Sequence, residues 1–67
     1  MEFGKRLREL RKWAKLSQTE LANATGLNKN TISKYELNLA EPTASTLIIF
    51  SKFFEESTDY LLGLKDY

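Results

Sequence analysis

The chain has 67 residues, enough for one small domain and close to the lower limit at which a single hydrophobic core keeps a chain folded. It contains no cysteine and no histidine, so disulfides are excluded and the common zinc sites nearly so, and we expect neither a metal nor a cofactor. The net charge is only +1, yet the first 34 residues carry eight Lys or Arg against three Glu, whereas the remainder carries two Lys against six acids.

The same composition argues against a membrane protein and against an enzyme. The longest apolar run, residues 47–50, is far too short to span a bilayer, and no basic-then-apolar leader opens the chain, so we expect a cytoplasmic protein. Without histidine, cysteine or a convincing carboxylate pair, little is present to carry acid–base or nucleophilic chemistry. One proline and three glycines leave no linker or repeat, and residues 1–67 are expected to form a single domain.

The first predicted helix covers about residues 2–15. Its apolar side chains recur at helical spacing and form an inward stripe: Phe3, Leu7, Leu10 and Ala14. Trp13 lies just outside this stripe, so we expect it to cover the core while remaining partly exposed. The basic residues of this helix fit either a solvated surface or a face that attracts phosphates.

The second predicted helix begins after Ser17. The spacing of Ser17 and Glu20 is that of a capping box, and Leu16 with Leu21 occupies the two positions of a hydrophobic staple. Gly26 follows about two turns later, where a glycine commonly supplies the left-handed backbone that ends a helix. We therefore expect the chain to reverse at this glycine.

A third helix is predicted to begin at once, with Asn28 as its N-cap. At about 100° per residue its side chains divide into two faces. The inward face consists of Thr31, Ile32, Tyr35 and Glu36. The outward face, called the reading strip below, consists of Lys29, Asn30, Ser33 and Lys34. Two short capped helices around one glycine are typical of a helix-turn-helix unit, although an outward strip of this kind can also be a plain solvated surface.

Two further helices complete the prediction. The fourth begins near Thr43, and the fifth runs from about Ser57 to Leu62 and ends at Gly63. In the fourth, the predicted inward stripe consists of Leu47, Phe50, Ser51 and Phe54. At about 100° of rotation per residue, Ile49 and Phe53 are predicted to point away from this stripe.

The segments above resemble the Cro/repressor-type helix-turn-helix family, also called the xenobiotic-response-element family. The resemblance covers nearly the whole chain and is carried by RLRELR at residues 6–11, LSQTELA at 16–22, TGLNKNTISKYE at 25–36, EPT at 41–43 and STDYLLG at 57–63. It implies an all-α fold, a compact five-helix lambda-repressor-like bundle in which helices 2 and 3 form the helix-turn-helix.

The resemblance also implies a function. We expect a sequence-specific regulator of transcription, by analogy a repressor, that binds double-stranded operator DNA and inserts helix 3 in the major groove. The expected base-reading residues are those of the reading strip, Lys29, Asn30, Ser33 and Lys34. The expected phosphate contacts come from Gln18, Asn28, Arg11 and Thr31. The alternative is a protein-interaction module, such as an antitoxin or regulatory subunit, that uses the same fold to hold a protein partner.

Glu36 is predicted to form a structural ion pair with Arg11. A lone carboxylate beside Ile32 on the inward face would be costly, so it should have a cation. Arg11 flanks the inward stripe of the first helix, and relatives of the resembled family often place an arginine and a glutamate at these positions. Two interpretations remain open: a buried pair that fixes helix 3 on helix 1, or a loose surface pair.

An apolar patch near the carboxyl end is a candidate homodimer interface. Its members are Ile49, Phe53, Tyr60 and Leu64, with Tyr67 beside them. The alternative is that the tail folds back over this patch within one monomer.

Two positions depart from the resembled pattern. Asn38 stands where a glycine is usual. Glu56 replaces a commonly aliphatic residue, and this change predicts a more open junction between the fourth and fifth helices.

Overall fold

The computed structural model describes residues 2–66 and contains five helices. They are α1 (Glu2–Trp13), α2 (Gln18–Thr25), α3 (Lys29–Glu36), α4 (Ala44–Phe54) and α5 (Thr58–Leu61). No strand occurs in this range, so the predicted all-α, five-helix class is confirmed, with α2 and α3 forming the helix-turn-helix. Tyr67, which the sequence placed beside the apolar patch, lies outside the described residues.

Each helix from α2 to α5 begins at a side chain that accepts a hydrogen bond from the backbone. At α2 the predicted capping box is complete, since Ser17 Oγ accepts from the Glu20 amide at 3.0 Å and Glu20 Oε1 accepts from the Ser17 amide at 2.8 Å. Asn28 caps α3 in the same way, and Thr43 and Ser57 cap α4 and α5. These caps fix the first residue of every element that follows α1.

Left-handed residues follow the helices and reverse the chain. They are Lys15, Gly26, Asn38, Glu55 and Gly63. At the end of α1 the amide of Leu16 donates to the carbonyl oxygen of Arg11 at 3.1 Å, which is the closing bond of a Schellman motif. The helix predicted to reach Lys15 therefore ends at Trp13, because Lys15 has a φ of 60°. Asn38, which stands where a glycine is usual, also adopts the left-handed conformation, with a φ of 59°.

The core lies where α1, α3 and α4 meet, with α2 and α5 closing its sides. The fully buried large side chains are Phe3, Leu7, Leu21, Ile32, Phe50 and Leu61. Three rings at its centre contact one another: Phe3 lies 5.4 Å from Tyr35 and 5.9 Å from Phe50 between centroids. Edge-to-face and tilted arrangements of this kind add to the stability that burial provides.

Gly4 sets the distance between α1 and α3, a role that was not predicted from the sequence. A Cβ at this position would overlap the carbonyl oxygen of Tyr35 and lie 2.8 Å from Asn38 Oδ1. Only glycine permits this approach. The one available signal was a glycine inside an otherwise helical pattern, which often marks close packing.

Two side chains lie differently from their predicted places. Trp13 does not cover the core but is 81% exposed, because α1 ends there and the chain turns away. On α4 it is Ile48, 49% exposed, that faces outward, whereas Ile49 is half-buried. Among residues 2–66, no helix is long and apolar enough to cross a bilayer.

Candidate nucleic-acid interface

The reading strip lies on the outer side of α3. Lys29, Asn30 and Lys34 are exposed and Ser33 is half-buried, while Ile32 and Tyr35 on the opposite side are buried in the core. The last described residues are fastened elsewhere: Arg6 Nη1 on α1 donates to the carbonyl oxygen of Lys65 at 2.7 Å. Three of the four members of the strip are thus open to a partner.

Close packing of α2 against α3 gives the strip a fixed direction. Ala22 is 2% exposed, and its small side chain lets the two helices approach. Gly26, with a φ of 76°, reverses the chain between them, and the Leu27 amide donates to the Ala22 carbonyl oxygen at 3.0 Å. Ile32 on α3 is completely buried. A helix anchored in this way cannot rotate without exposing that core side chain.

The predicted pair of Arg11 and Glu36 is present and buried. Arg11 Nε lies 2.6 Å from Glu36 Oε2 and Nη2 lies 2.9 Å from Oε1, so both carboxylate oxygens accept from one guanidinium. The side chains are only 11% and 3% exposed, which excludes the loose surface pair. Arg11 Nη1 also donates to the carbonyl oxygen of Leu16 at 2.9 Å. The hydrogen bond to Glu36 raises the pKa of Arg11, against the opposing effect of burial.

Gln18 also binds this pair, a contact that was not predicted from the sequence. Its Nε2 donates to Glu36 Oε1 at 3.2 Å, and its side chain is half-buried at the beginning of α2. Glu36 therefore accepts from α1 and from α2 at the same time. One carboxylate thus ties α3 to both α1 and α2.

Asn28 and Thr31 lie together at the beginning of α3. Asn28 Oδ1 accepts from the Thr31 amide at 2.8 Å and from the Thr31 hydroxyl at 3.0 Å. Asn28 is exposed and Thr31 is half-buried. The cap uses the side-chain oxygen of Asn28, and its Nδ2 donates no hydrogen bond within the described residues.

The predicted apolar patch is only partly exposed. Leu64 is 73% and Phe53 40% exposed, whereas Ile49 and Tyr60 are half-buried. The ring of Tyr60 lies beneath the Arg6 guanidinium, whose Cζ is 4.4 Å from the ring centroid. Arg6 Nη2 also lies 3.7 Å from Asp66 Oδ1. The end of the described chain therefore follows α1 and leaves Leu64 exposed.

Comparison with known proteins agrees with this geometry. A family model described as helix-turn-helix matches residues 7–61. The chain belongs to this family, in its Cro/repressor-type branch. It is 41% identical over 63 residues to the HTH-type transcriptional regulator ImmR of Bacillus subtilis, a match that covers 94% of this chain and 50% of that protein. It is 37% identical over 60 residues to repressor protein C2 of Salmonella phage P22, covering 90% of this chain and 28% of that protein.

A solved structure extends the likeness to three dimensions. The crystal structure of the P22 c2 repressor protein in complex with synthetic operator 9T matches with a TM-score of 0.84 at 34% identity, covering 91% of this chain and 92% of that one. The chain spans about half the length of the Bacillus regulators that it matches.

Proposed function

We propose that this chain is the DNA-binding domain of a sequence-specific transcriptional regulator, a repressor that acts in the cytoplasm by occupying a promoter. The observation that carries the proposal is the reading strip: a row of hydrogen-bonding and cationic side chains on a helix whose opposite side is buried and tied by Glu36. A helix-turn-helix places such a helix in the major groove. The complex of the related P22 c2 repressor with an operator supports this assignment.

The reading strip would supply the base contacts. Asn30 has the amide that pairs with adenine N6 and N7, and Lys29 has a donor for guanine O6 and N7. Both lie in the first turn of α3, the part that enters the groove deepest in this motif. Lys34, one turn later, reaches either a base edge or a phosphate, and Ser33 assists from its half-buried position.

Phosphates would be held at the amino ends of α2 and α3. Gln18 donates one N–H to Glu36 and retains a second at the amino end of α2, where the helix dipole favours an anion. Asn28 offers Nδ2, and the Thr31 hydroxyl lies beside it. Arg11 uses three of its five N–H groups within the protein, so two remain for a phosphate.

A homodimer would bring two such domains to one operator. A single module covers only about 600 to 1,000 Å² of DNA-facing surface, and two recognition helices about 34 Å apart match one turn of the duplex. The contact would use the apolar patch of Ile49, Phe53, Tyr60 and Leu64, of which Phe53 and Leu64 are the exposed members.

Selection of bound duplexes from a random pool tests the proposal. We expect one enriched half-site motif, repeated with two-fold symmetry, and an affinity that falls steeply as salt rises. The double variant Lys29→Ala/Lys34→Ala should no longer enrich the motif. Lys52→Ala, which removes an exposed lysine of α4, should enrich it as the unaltered chain does. Sedimentation with and without the selected duplex counts the subunits.

Two results would contradict the proposal. A failure to retain any duplex at low as well as high salt would favour the protein-interaction module instead. An enriched motif without two-fold symmetry, bound by one subunit, would contradict the dimer while leaving the DNA-binding domain intact.

A further inference from the structure

A groove of about 440 Å³ lies on the side of the molecule built by α1, the end of α4 and α5. Its lining residues are Glu9, Leu10, Trp13, Phe54, Glu56 and Tyr60. None of them belongs to α2 or α3, so the groove is separate from the helix-turn-helix. Its volume is in the range of sites that hold small molecules.

Aromatic rings and carboxylates share this groove. Trp13 is 81% exposed, which is unusual for the largest apolar side chain of a small domain. Phe54 and Tyr60 are half-buried and pack on the core, so their rings are held in place. Leu10 adds a buried apolar contribution from α1. The groove therefore offers a supported apolar surface together with one large ring that no core contact covers.

Neither carboxylate of the groove is engaged in an ion pair within the described residues. Within residues 2–66, the side chains of Glu9 and Glu56 make neither an ion pair nor a hydrogen bond. The backbone of Glu56 is fixed, because its amide donates to the carbonyl oxygen of Ser51 and its carbonyl accepts from the Ser51 hydroxyl. Two negative charges at an aromatic groove favour a cation over a neutral or anionic guest.

One ring of the groove already receives a cation within the protein. The Arg6 guanidinium lies 4.4 Å from the centroid of Tyr60, a distance typical of a cation–π contact. Arg6, Leu10 and Trp13 follow one another at helical spacing on the same face of α1. At least one ring of the groove is therefore placed where its face can hold a cation.

We propose that this groove is a binding site for a small organic cation of the alkyl- or arylammonium class. The rings of Trp13, Phe54 and Tyr60 would contact the apolar arms of the guest, and Glu9 and Glu56, which line the same groove, would balance its charge. The combination of aromatic faces with nearby negative charge is the one by which proteins recognise quaternary ammonium groups. The site does not depend on the proposed DNA-binding function.

Trp13 provides the measurement, because it is the only tryptophan of the chain. Titration with benzyltrimethylammonium, excited at a wavelength that the ligand does not absorb, should change the tryptophan emission and saturate with a Kd on the order of 1 mM or tighter. 3-Phenyl-1-propanol is a neutral probe of similar size, and its affinity should be at least about fivefold weaker. Amide shifts in NMR spectra, confined to the lining residues, would locate the site.

Charge variants test the role of the carboxylates. Glu9→Gln/Glu56→Gln should lower the affinity for benzyltrimethylammonium about tenfold and leave that for 3-phenyl-1-propanol within about twofold. Glu41→Gln, an exposed glutamate outside the groove, is the matched control and should bind as the unaltered chain does. Circular dichroism of each variant confirms the fold. Trp13→Ala, followed by NMR, should weaken both probes.

Several outcomes would overturn the proposal. Equal affinity for the cation and the neutral probe would show an apolar groove without charge selection. No saturable shift at any lining residue would show that the groove is not a site. Emission that changes with protein concentration alone, together with self-association in sedimentation, would show that a second copy of the chain occupies Trp13.

Discussion

The carbonyl oxygen of Tyr35 lies where a Cβ on Gly4 would have to be, so α1 and α3 are in direct backbone contact. This contact fixes the distance between the first helix and the proposed recognition helix. It also brings the rings of Phe3, Tyr35 and Phe50 together at centroid distances of 5.4 to 6.2 Å.

Gly4→Ala should destabilise the domain by about 3 kcal/mol, the upper end of the range for overpacking, because the group in the way is backbone and cannot rotate aside. Urea unfolding followed by circular dichroism measures the loss. Lys5→Ala, an exposed neighbour on α1, is the control and should change the free energy of unfolding by less than about 0.5 kcal/mol. Equal stability of the two variants would show that α1 and α3 can separate without cost.

Glu36→Ala should destabilise the domain by roughly 3 to 5 kcal/mol, because it leaves the buried guanidinium of Arg11 without its carboxylate. Arg11→Met/Glu36→Leu should recover most of that loss, since no charge is then left unpaired. Arg8→Ala removes an exposed arginine of the same helix and serves as the control. If Glu36→Ala had the thermal midpoint of the unaltered chain, the pair would have no structural role.

Two non-glycine residues hold left-handed conformations that can be relieved. Lys15 has a φ of 60° and Glu55 a φ of 55°, and such a conformation costs an ordinary residue roughly 1 kcal/mol or more. Lys15→Gly and Glu55→Gly should each raise the free energy of unfolding by about 0.5 to 1 kcal/mol, after the greater chain entropy of glycine is subtracted. In a domain of this size that raises the thermal midpoint by a few degrees.

Lys12→Gly is the matched control for these changes, because Lys12 lies within α1, where glycine costs about 1 kcal/mol. The two lysine variants should therefore move the thermal midpoint in opposite directions. Destabilisation by Lys15→Gly would show that the lysine side chain contributes a contact that outweighs its backbone strain.

The capping box of α2 should weaken in acid. Hydrogen bonds from the amide and the hydroxyl of Ser17 hold the pKa of Glu20 below its ordinary value of 4.5. A group whose pKa is lowered by folding contributes stability that is complete above the unfolded pKa and is lost as the pH falls through the folded one. NMR titration of the Glu20 carboxyl should give a midpoint below 4.5.

Glu20→Gln tests the same point through stability. The variant should be less stable than the unaltered chain at neutral pH, and the difference should vanish once the pH has fallen below the folded pKa of Glu20. A difference that stays constant across the acid range would mean that the charge of Glu20 plays no part in the cap.

On selected DNA, Asn30→Ala and Gln18→Ala should have separable effects. Loss of a base contact by Asn30 should cost about 1 to 3 kcal/mol of discrimination at one position of the operator. Loss of a phosphate contact by Gln18 should weaken binding to all duplexes alike. The measurement is binding to the selected operator and to its single-base variants at fixed salt. Uniform weakening by Asn30→Ala and loss of base discrimination by Gln18→Ala would contradict both assignments.

Features that depend on short stretches of sequence could be predicted. The caps at Ser17 and Asn28 are local, so the helix boundaries that they set agree with the structure to within one residue. The ion pair of Arg11 and Glu36 could also be predicted, because a carboxylate on a packing face requires a cation.

Features that depend on the angle or distance between helices could not. The hydrogen bond from Gln18 to Glu36 needs the crossing of α2 and α3, and the role of Gly4 needs the separation of α1 and α3. Ile48 and Ile49 are neighbours in a continuous apolar run, and such a run does not determine which of the two faces outward. The exposure of Trp13 follows from a helix end that no glycine marked.

The carboxylate of Glu36, which accepts from Arg11 and from Gln18, has a thermodynamic consequence for any duplex that α3 meets. The three helices lose their freedom to move relative to one another when the chain folds. That conformational entropy is therefore not lost a second time when the domain binds DNA. The heat-capacity change of binding would then come from the surface buried between protein and DNA, and folding coupled to binding would add nothing to it. In calorimetry, such a domain would behave as a rigid body docking on DNA.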